Sequence, residues 1–153
     1  TADGVNMEKE FRRLLNQSAV PVAGAEEILQ YLYKKNYCLC AASNGPYDQQ
    51  INRLKKADML KYFAHCFVSE KLGADKPGKQ FFDGCMRELP GITPEECMII
   101  GDSLTADITG GRAYGMSTCW YVPSVEKYRE VKTKSGKPAD YVVHELAELE
   151  KIL

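Results

Sequence analysis

The chain has 153 residues, 44% of them hydrophobic and 27% charged, and a formal net charge of −1. That length supports one domain with its own core. The mixed charge leaves no basic face for a nucleic-acid polymer, and no apolar run approaches the roughly 20 residues of a bilayer span.

The polar first residues hold no signal-peptide core, and Thr1, without an initiator Met, is not expected to be the natural start; the buried reduced thiols expected of its cysteines suit a cytoplasmic protein. Residues 7–17 read as the end of a helix, which SAVPVAG then breaks. Residues 25–35 place Ile28, Leu29 and Leu32 at helical spacing, with acids in the first turn and lysines in the last. Residues 37–43 form a short apolar run and predict a buried strand. A helix is expected over 46–59, with Ile51 and Leu54 inward, and a strand over 65–70. Residues 76–89 predict a helix with a proline in its first turn. A strand is expected over 96–102, a helix over 104–115 ended by Gly115, and a strand over 117–122. A polar loop over 126–138, a strand over 140–143 and a final amphipathic helix complete the chain.

Helices alternating with strands predict an α/β fold with a parallel sheet covered on both faces. Right-handed crossovers then bring every strand's C-terminal end to one edge, where such sheets hold ligands. The six cysteines contain no CxxC pair, and His65 and His144 complete no zinc spacing. Cys38, Cys40, Cys66 and Cys119 stand in or beside apolar runs, so buried reduced thiols are expected.

Three polar sites share the predicted edge. Ser43 and Asn44 end the first strand, Lys76 follows the second, and Asp102 ends the third with Asp107 just beyond. Two carboxylates suit a hard cation such as Mg²⁺, and a lysine with a hydroxyl-bearing turn suits a phosphate. Together they suit phosphoryl transfer, which is mostly positioning and charge neutralisation. Each motif alone also has a plain structural reading as a turn, a helix start or a cap. Their order along the chain and their common edge distinguish them. Trp120 and Tyr121 are read as packing residues and His65 as structural; Tyr47 lies close enough to Ser43 to touch a substrate.

These residues resemble the motifs of the haloacid dehalogenase (HAD) superfamily. CLCAASNG with Ser43 is similar to its second motif, ADKPGKQFF with Lys76 to its third, and MIIGDSLTAD with Asp102 and Asp107 to its fourth. The resemblance covers about residues 19–153. It implies a Rossmannoid core, with residues 1–18 as the end of a helical cap and 19–153 as the C-terminal portion of the core domain. It further implies an Mg²⁺-dependent phosphatase acting on a small phosphorylated metabolite through an aspartyl-phosphate. Within the superfamily GDSLTADITGGRAYGMSTCW is similar to nucleoside-monophosphate 5′-nucleotidases.

The implied roles are Mg²⁺ on Asp102 and Asp107, phosphate on Ser43 and Asn44, and charge neutralisation by Lys76, with Ser43, Lys76 and Asp102 as the catalytic set. The superfamily's first motif, Asp-x-Asp on a central strand, has no counterpart here; Asp3-Gly-Val lacks the second Asp. The nucleophile strand and most of the cap are therefore expected upstream. Between the strands ending at Ser43 and Asp102 a gap with unpaired backbone is expected. Phosphoglycolate or sugar-phosphate phosphatases, a metal-free dehalogenase, a non-catalytic scaffold or remnant, and a response-regulator-like domain are the alternatives. The last groups its acids at the first strand and places its Lys after the hydroxyl, unlike the order here.

Overall fold

The structure, a computed structural model, describes residues 20–153. The helix expected over 7–17, the cap boundary and Asp3 lie outside them. The first described helix, α1 (Ala25–Lys34), buries Ile28 and Leu32, with Glu26 and Glu27 in its first turn and Lys34 in its last. The strand β1 (Cys40–Ser43) pairs in parallel with β2 (His65–Val68), from Cys40 opposite His65 to Ser43 opposite Val68. Between them runs α2 (Tyr47–Lys56). A short helix α3 (Ser69–Leu72), ended by Gly73, and then α4 (Lys79–Arg87) follow.

A second sheet is built from β3 (Met98–Gly101), β4 (Ser117–Tyr121) and β5 (Tyr141–Val143), also parallel, in that order. A π-helical turn over Leu104–Thr109 leads directly into α5 (Gly110–Tyr114), and Gly115 closes it in the left-handed conformation. α6 (Val125–Ser135) links β4 to β5, and a 3₁₀ helix over Leu146–Lys151 ends the chain.

The two sheets do not hydrogen-bond to each other: among the described residues β1 and β3 present facing, unpaired edges. This is the gap the sequence leads one to expect. A cavity of about 600 Å³ opens there, lined by Ile28, Leu32, Phe81 and Ile100, with Lys76 and Asp107 on its wall. The helices bridge it on both faces. Strand side chains alternate between faces, so Leu39, Met98, Ile100 and Cys119 pack with Ile28 and Leu32 of α1. Cys40, Ala42, Phe67 and Ile99 pack on the other side with Phe81, Phe82 and Cys85 of α4. Next to that group Trp120 and Val122 pack with Ile108 of the π turn and with Tyr128 and Val131 of α6.

Several expected elements differ. The first strand starts only at Cys40, and Cys38 is exposed, although all six cysteines are unpaired as expected. The strand expected over 65–70 stops at Val68 because Ser69 turns into α3. Lys76 does not open a helix: it stands before a cis Lys76–Pro77 peptide, and α4 begins at Lys79. The polar stretch expected as a loop is α6. Ser124 caps it by accepting from the Lys127 N–H at 3.1 Å, and Tyr128 and Val131 turn inward. The last helix is 3₁₀ rather than α, with Glu145 and Glu148 forming a capping box. His65 stacks on Phe67 at 5.5 Å between centroids, in keeping with a structural role.

At the opposite end of the sheet from the strand C-termini, Asp140 fastens β5 to β4. Its Oδ2 accepts from the Thr118 N–H and the Thr118 hydroxyl, each at 2.9 Å, and its own N–H donates to that hydroxyl at 3.1 Å. Thr118 is fully buried, so its donors have no alternative partner in water. Hydrogen bonds from the Thr118 backbone and then its side chain hold the Asp140 carboxyl below its usual pKa. A depressed carboxylate stabilises the fold above the unfolded-state value of about 3.9, and that contribution fades as pH falls through the lower folded value. Asp140→Asn is expected to cost about 1–2 kcal/mol at neutral pH. Urea midpoints should show this deficit shrinking toward zero in acid below both values; a deficit independent of pH would exclude the carboxylate charge as its source.

Candidate active site

Parallel register puts the C-terminal ends of β1 and β2 on one rim, and those of β3 and β4 on another beside it. Lys76 joins the two rims. Its Nζ donates to Ala42 O of β1 at 2.8 Å and to Asp107 Oδ1, beyond β3, at 2.5 Å. It also lies 5.9 Å from the centroid of the Phe81 ring. Both charged side chains are only 9% exposed. Burying such a pair costs several kcal/mol of desolvation per ion, which mutual attraction and further hydrogen bonds offset only when the geometry is good. An ammonium has three donors, and two are used here, so one remains.

The backbone of Lys76 is held as firmly as its head. Asn44 Oδ1 accepts from the Lys76 N–H at 2.8 Å, while Asn44 Nδ2 donates to Lys76 O at 3.0 Å. The Asn44 side chain thus grips both ends of one residue 32 positions away. The loop after β1 is fastened in turn. The Gly45 N–H donates to Ser69 Oγ at 2.9 Å, and the Tyr47 N–H to Glu70 Oε2 at 2.7 Å. Gly45 turns with φ of 128°, a conformation that suits glycine. Lys71 Nζ lies 4.9 Å from the Tyr47 ring at the rim.

On the other rim Asp107 has both oxygens engaged: Oδ1 takes Lys76, and Oδ2 accepts from the Ser103 N–H at 3.1 Å. The widened turn of the π helix carries Asp107 back against the strand end. A Cβ on residue 101 would collide with its carboxylate, so Gly101 is required for that approach. Asp102 is exposed, and its carboxylate takes no hydrogen bond among the described residues; the Ser43 hydroxyl also takes none.

The structure therefore brings Asn44, Lys76 and Asp107 into one bonded assembly, with Ser43 and Asp102 at the ends of the strands on either side of the gap. Among the described residues Ser43 Oγ, the Asp102 carboxylate and one ammonium N–H take no partner. Such a set can hold an anion by donors and a hard cation by oxygen. Among the described residues no three His, Cys, Asp or Glu gather as a cation cage. Mg²⁺ fits nonetheless, because it commonly takes one or two carboxylates and completes its shell with water and phosphate oxygens.

Three contributions escaped sequence reasoning: the Asn44 side chain, the Ser69–Glu70 latch and the Trp120 indole, which donates to Asp102 O at 3.1 Å. Ser69 and Glu70 follow a strand end directly, so the same edge rule points to them. The Asn44–Lys76 clasp leaves no local pattern.

The chain is similar to a known family and to several known proteins. Residues 5–121 match the family described as haloacid dehalogenase-like hydrolase. The HAD-hydrolase YfnB of Bacillus subtilis is 33% identical over 99% of this chain and 60% of its own. A crystal structure of that protein bound to magnesium superposes with a TM-score of 0.87 at 34% identity, over 99% of this chain and 64% of that one. The pyrimidine 5′-nucleotidase PynA of Streptococcus pneumoniae is 36% identical over 79% of this chain and 51% of its own. The glyceraldehyde 3-phosphate phosphatase of Pyrococcus furiosus is 30% identical over 86% of this chain and 54% of its own. The chain thus spans between 51% and 60% of the length of these relatives. The chain belongs to the haloacid dehalogenase-like hydrolase family.

Proposed function

We propose that the protein is an Mg²⁺-dependent phosphatase that hydrolyses a small phosphate monoester, a nucleoside monophosphate in the favoured case, through an aspartyl-phosphate. The observation that carries this reading is the buried Lys76–Asp107 pair, with a Ser43 hydroxyl and an Asp102 carboxylate at the strand ends on either side that take no hydrogen bond among the described residues. The likeness to a pyrimidine 5′-nucleotidase favours a nucleotide substrate. The likeness to a glyceraldehyde 3-phosphate phosphatase keeps a sugar or triose phosphate as the second reading. The six unpaired thiols accord with a reducing compartment such as the cytoplasm. No described helix is long and apolar enough to cross a membrane.

In this reading Ser43 Oγ and the Asn44 N–H hold a phosphoryl oxygen. Lys76, fixed by Asn44, Ala42 and Asp107, donates a hydrogen bond from its remaining N–H to the phosphate and, still charged, neutralises charge that builds as phosphorus is attacked. Asp102 would hold the cation, which when bound would withdraw charge from the phosphate. Asp107, with both oxygens engaged, orients Lys76 and would support the cation. The attacking carboxylate and the acid that protonates the leaving oxygen would come from a strand upstream of Thr1. The gap between β1 and β3 and the relatives' greater length support that assignment.

Phosphate release by the full-length protein from nucleoside monophosphates, sugar phosphates and phosphoglycolate tests the reading. Turnover that needs Mg²⁺ and stops with a chelator is expected; chelator-resistant turnover, or none on any phosphate, contradicts it. Asp102→Asn and Lys76→Ala should each lower kcat at least about a hundredfold. Asn44→Ala should lower kcat about tenfold, because Lys76 loses its backbone clasp. Full activity in Asn44→Ala would show that the other two Lys76 contacts suffice.

A further inference from the structure

One planar peptide unit at the candidate site is held at both of its ends. The unit between Asp102 and Ser103 carries the Asp102 carbonyl and the Ser103 N–H. The N–H donates to Asp107 Oδ2 at 3.1 Å, and the carbonyl accepts from Trp120 Nε1 at 3.1 Å. A peptide plane is rigid, so fixing both ends removes its freedom to swing about the bond to the Asp102 Cα. With Gly101 held in the strand ladder on its other side, the direction in which the Asp102 side chain leaves the backbone is then fixed, while its carboxylate takes no hydrogen bond among the described residues. One of the two anchors, Asp107, belongs to the site already described. The other lies outside it.

Trp120 is fully buried in β4. A buried indole N–H needs an acceptor, and β4 could leave it to the sheet's own carbonyls. Instead it reaches past the last ladder pair, Gly101 with Trp120, to the residue beyond. The ring itself is braced. Tyr128 of α6 lies 6.3 Å away, His144 stands edge-on to Tyr128 at 5.4 Å, and His144 Nδ1 is 2.7 Å from Val122 O. An aromatic column from α6 and the end of β5 therefore backs the anchor.

We infer that Trp120 is a positioning residue for Asp102, acting through that residue's backbone carbonyl to aim the carboxylate at a divalent cation. The inference rests on the phosphatase reading for the cation itself. Partners of this kind, which touch a ligand residue rather than the metal, typically change metal affinity 10–100-fold when lost. A residue that only fills the core would change stability and leave metal affinity alone.

The full-length protein with Trp120 replaced by benzothienylalanine tests this, since sulfur replaces only the N–H of the ring. Trp120→Phe serves as the genetically encoded companion. Free Mn²⁺ measured by electron paramagnetic resonance should show a dissociation constant raised about tenfold in both. Asp140→Asn, destabilised elsewhere, should bind Mn²⁺ as the unaltered protein does. In the unaltered protein the Trp120 indole nitrogen-15 resonance, assigned by its loss in Trp120→Phe, should move as Mg²⁺ is added and saturate with the cation site. Unchanged Mn²⁺ affinity in the benzothienyl protein, or an indole resonance that ignores Mg²⁺, overturns the positioning role and leaves the phosphatase reading standing. Absence of Mn²⁺ binding by the unaltered protein overturns both.

Discussion

A single ammonium spans the break in the sheet. Lys76 ties the end of β1, through Ala42 O, to the carboxylate that follows β3. Among the described residues no backbone ladder connects those two strands. Desolvating this pair is costly, and an apolar pair of similar volume would serve stability as well or better. What the pair supplies is a fixed charge at a fixed place, which is the requirement of a site that handles phosphate. The clasp of Asn44 on the Lys76 backbone serves the same end, because a long, flexible side chain is only as well placed as its Cα.

The groups around Lys76 divide by whether they are satisfied. Asn44, Asp107, Ser69 and Glu70 spend their hydrogen bonds within the protein. Ser43 Oγ and the Asp102 carboxylate spend none among the described residues. That division separates a scaffold from a binding surface without reference to any ligand. The π turn belongs to the scaffold: its wider coil carries Asp107 back onto Gly101, where only a glycine leaves room. From there the carboxylate reaches Lys76 and the Ser103 N–H together. Electrostatics, backbone geometry and the absence of one side chain thus converge on the segment from Gly101 to Asp107.

Much of this was legible in the sequence because it rests on local pattern. The alternation of elements predicted parallel strands, and the strand ends predicted the rim on which Ser43, Lys76 and Asp102 stand, whereas the gap was implied by the family resemblance. What was not legible rests on partners distant in sequence. The stretch holding α6 is polar enough to read as a loop, and only packing of Tyr128 and Val131 against Trp120 makes it pay as a helix. Lys76 looked like a helix start, yet Asn44 holds it in the turn ahead of α4. Trp120 was expected as packing, which it is, but its N–H bond to Asp102 depends on where β3 ends beside β4. Local sequence carries the edge; tertiary hydrogen bonds decide which atoms at that edge remain free.

The central claim is that this rim binds a phosphoryl group and a cation between Ser43, Lys76 and Asp102. The most direct measurement is a crystal structure of the full-length protein with Mg²⁺ and vanadate, an ion that imitates phosphorus under attack. The account predicts vanadate oxygens on Ser43 Oγ and Lys76 Nζ, with Mg²⁺ on the Asp102 carboxylate and Asp107 still paired with Lys76. Vanadate and Mg²⁺ bound elsewhere on the molecule, with this rim unchanged, would contradict it.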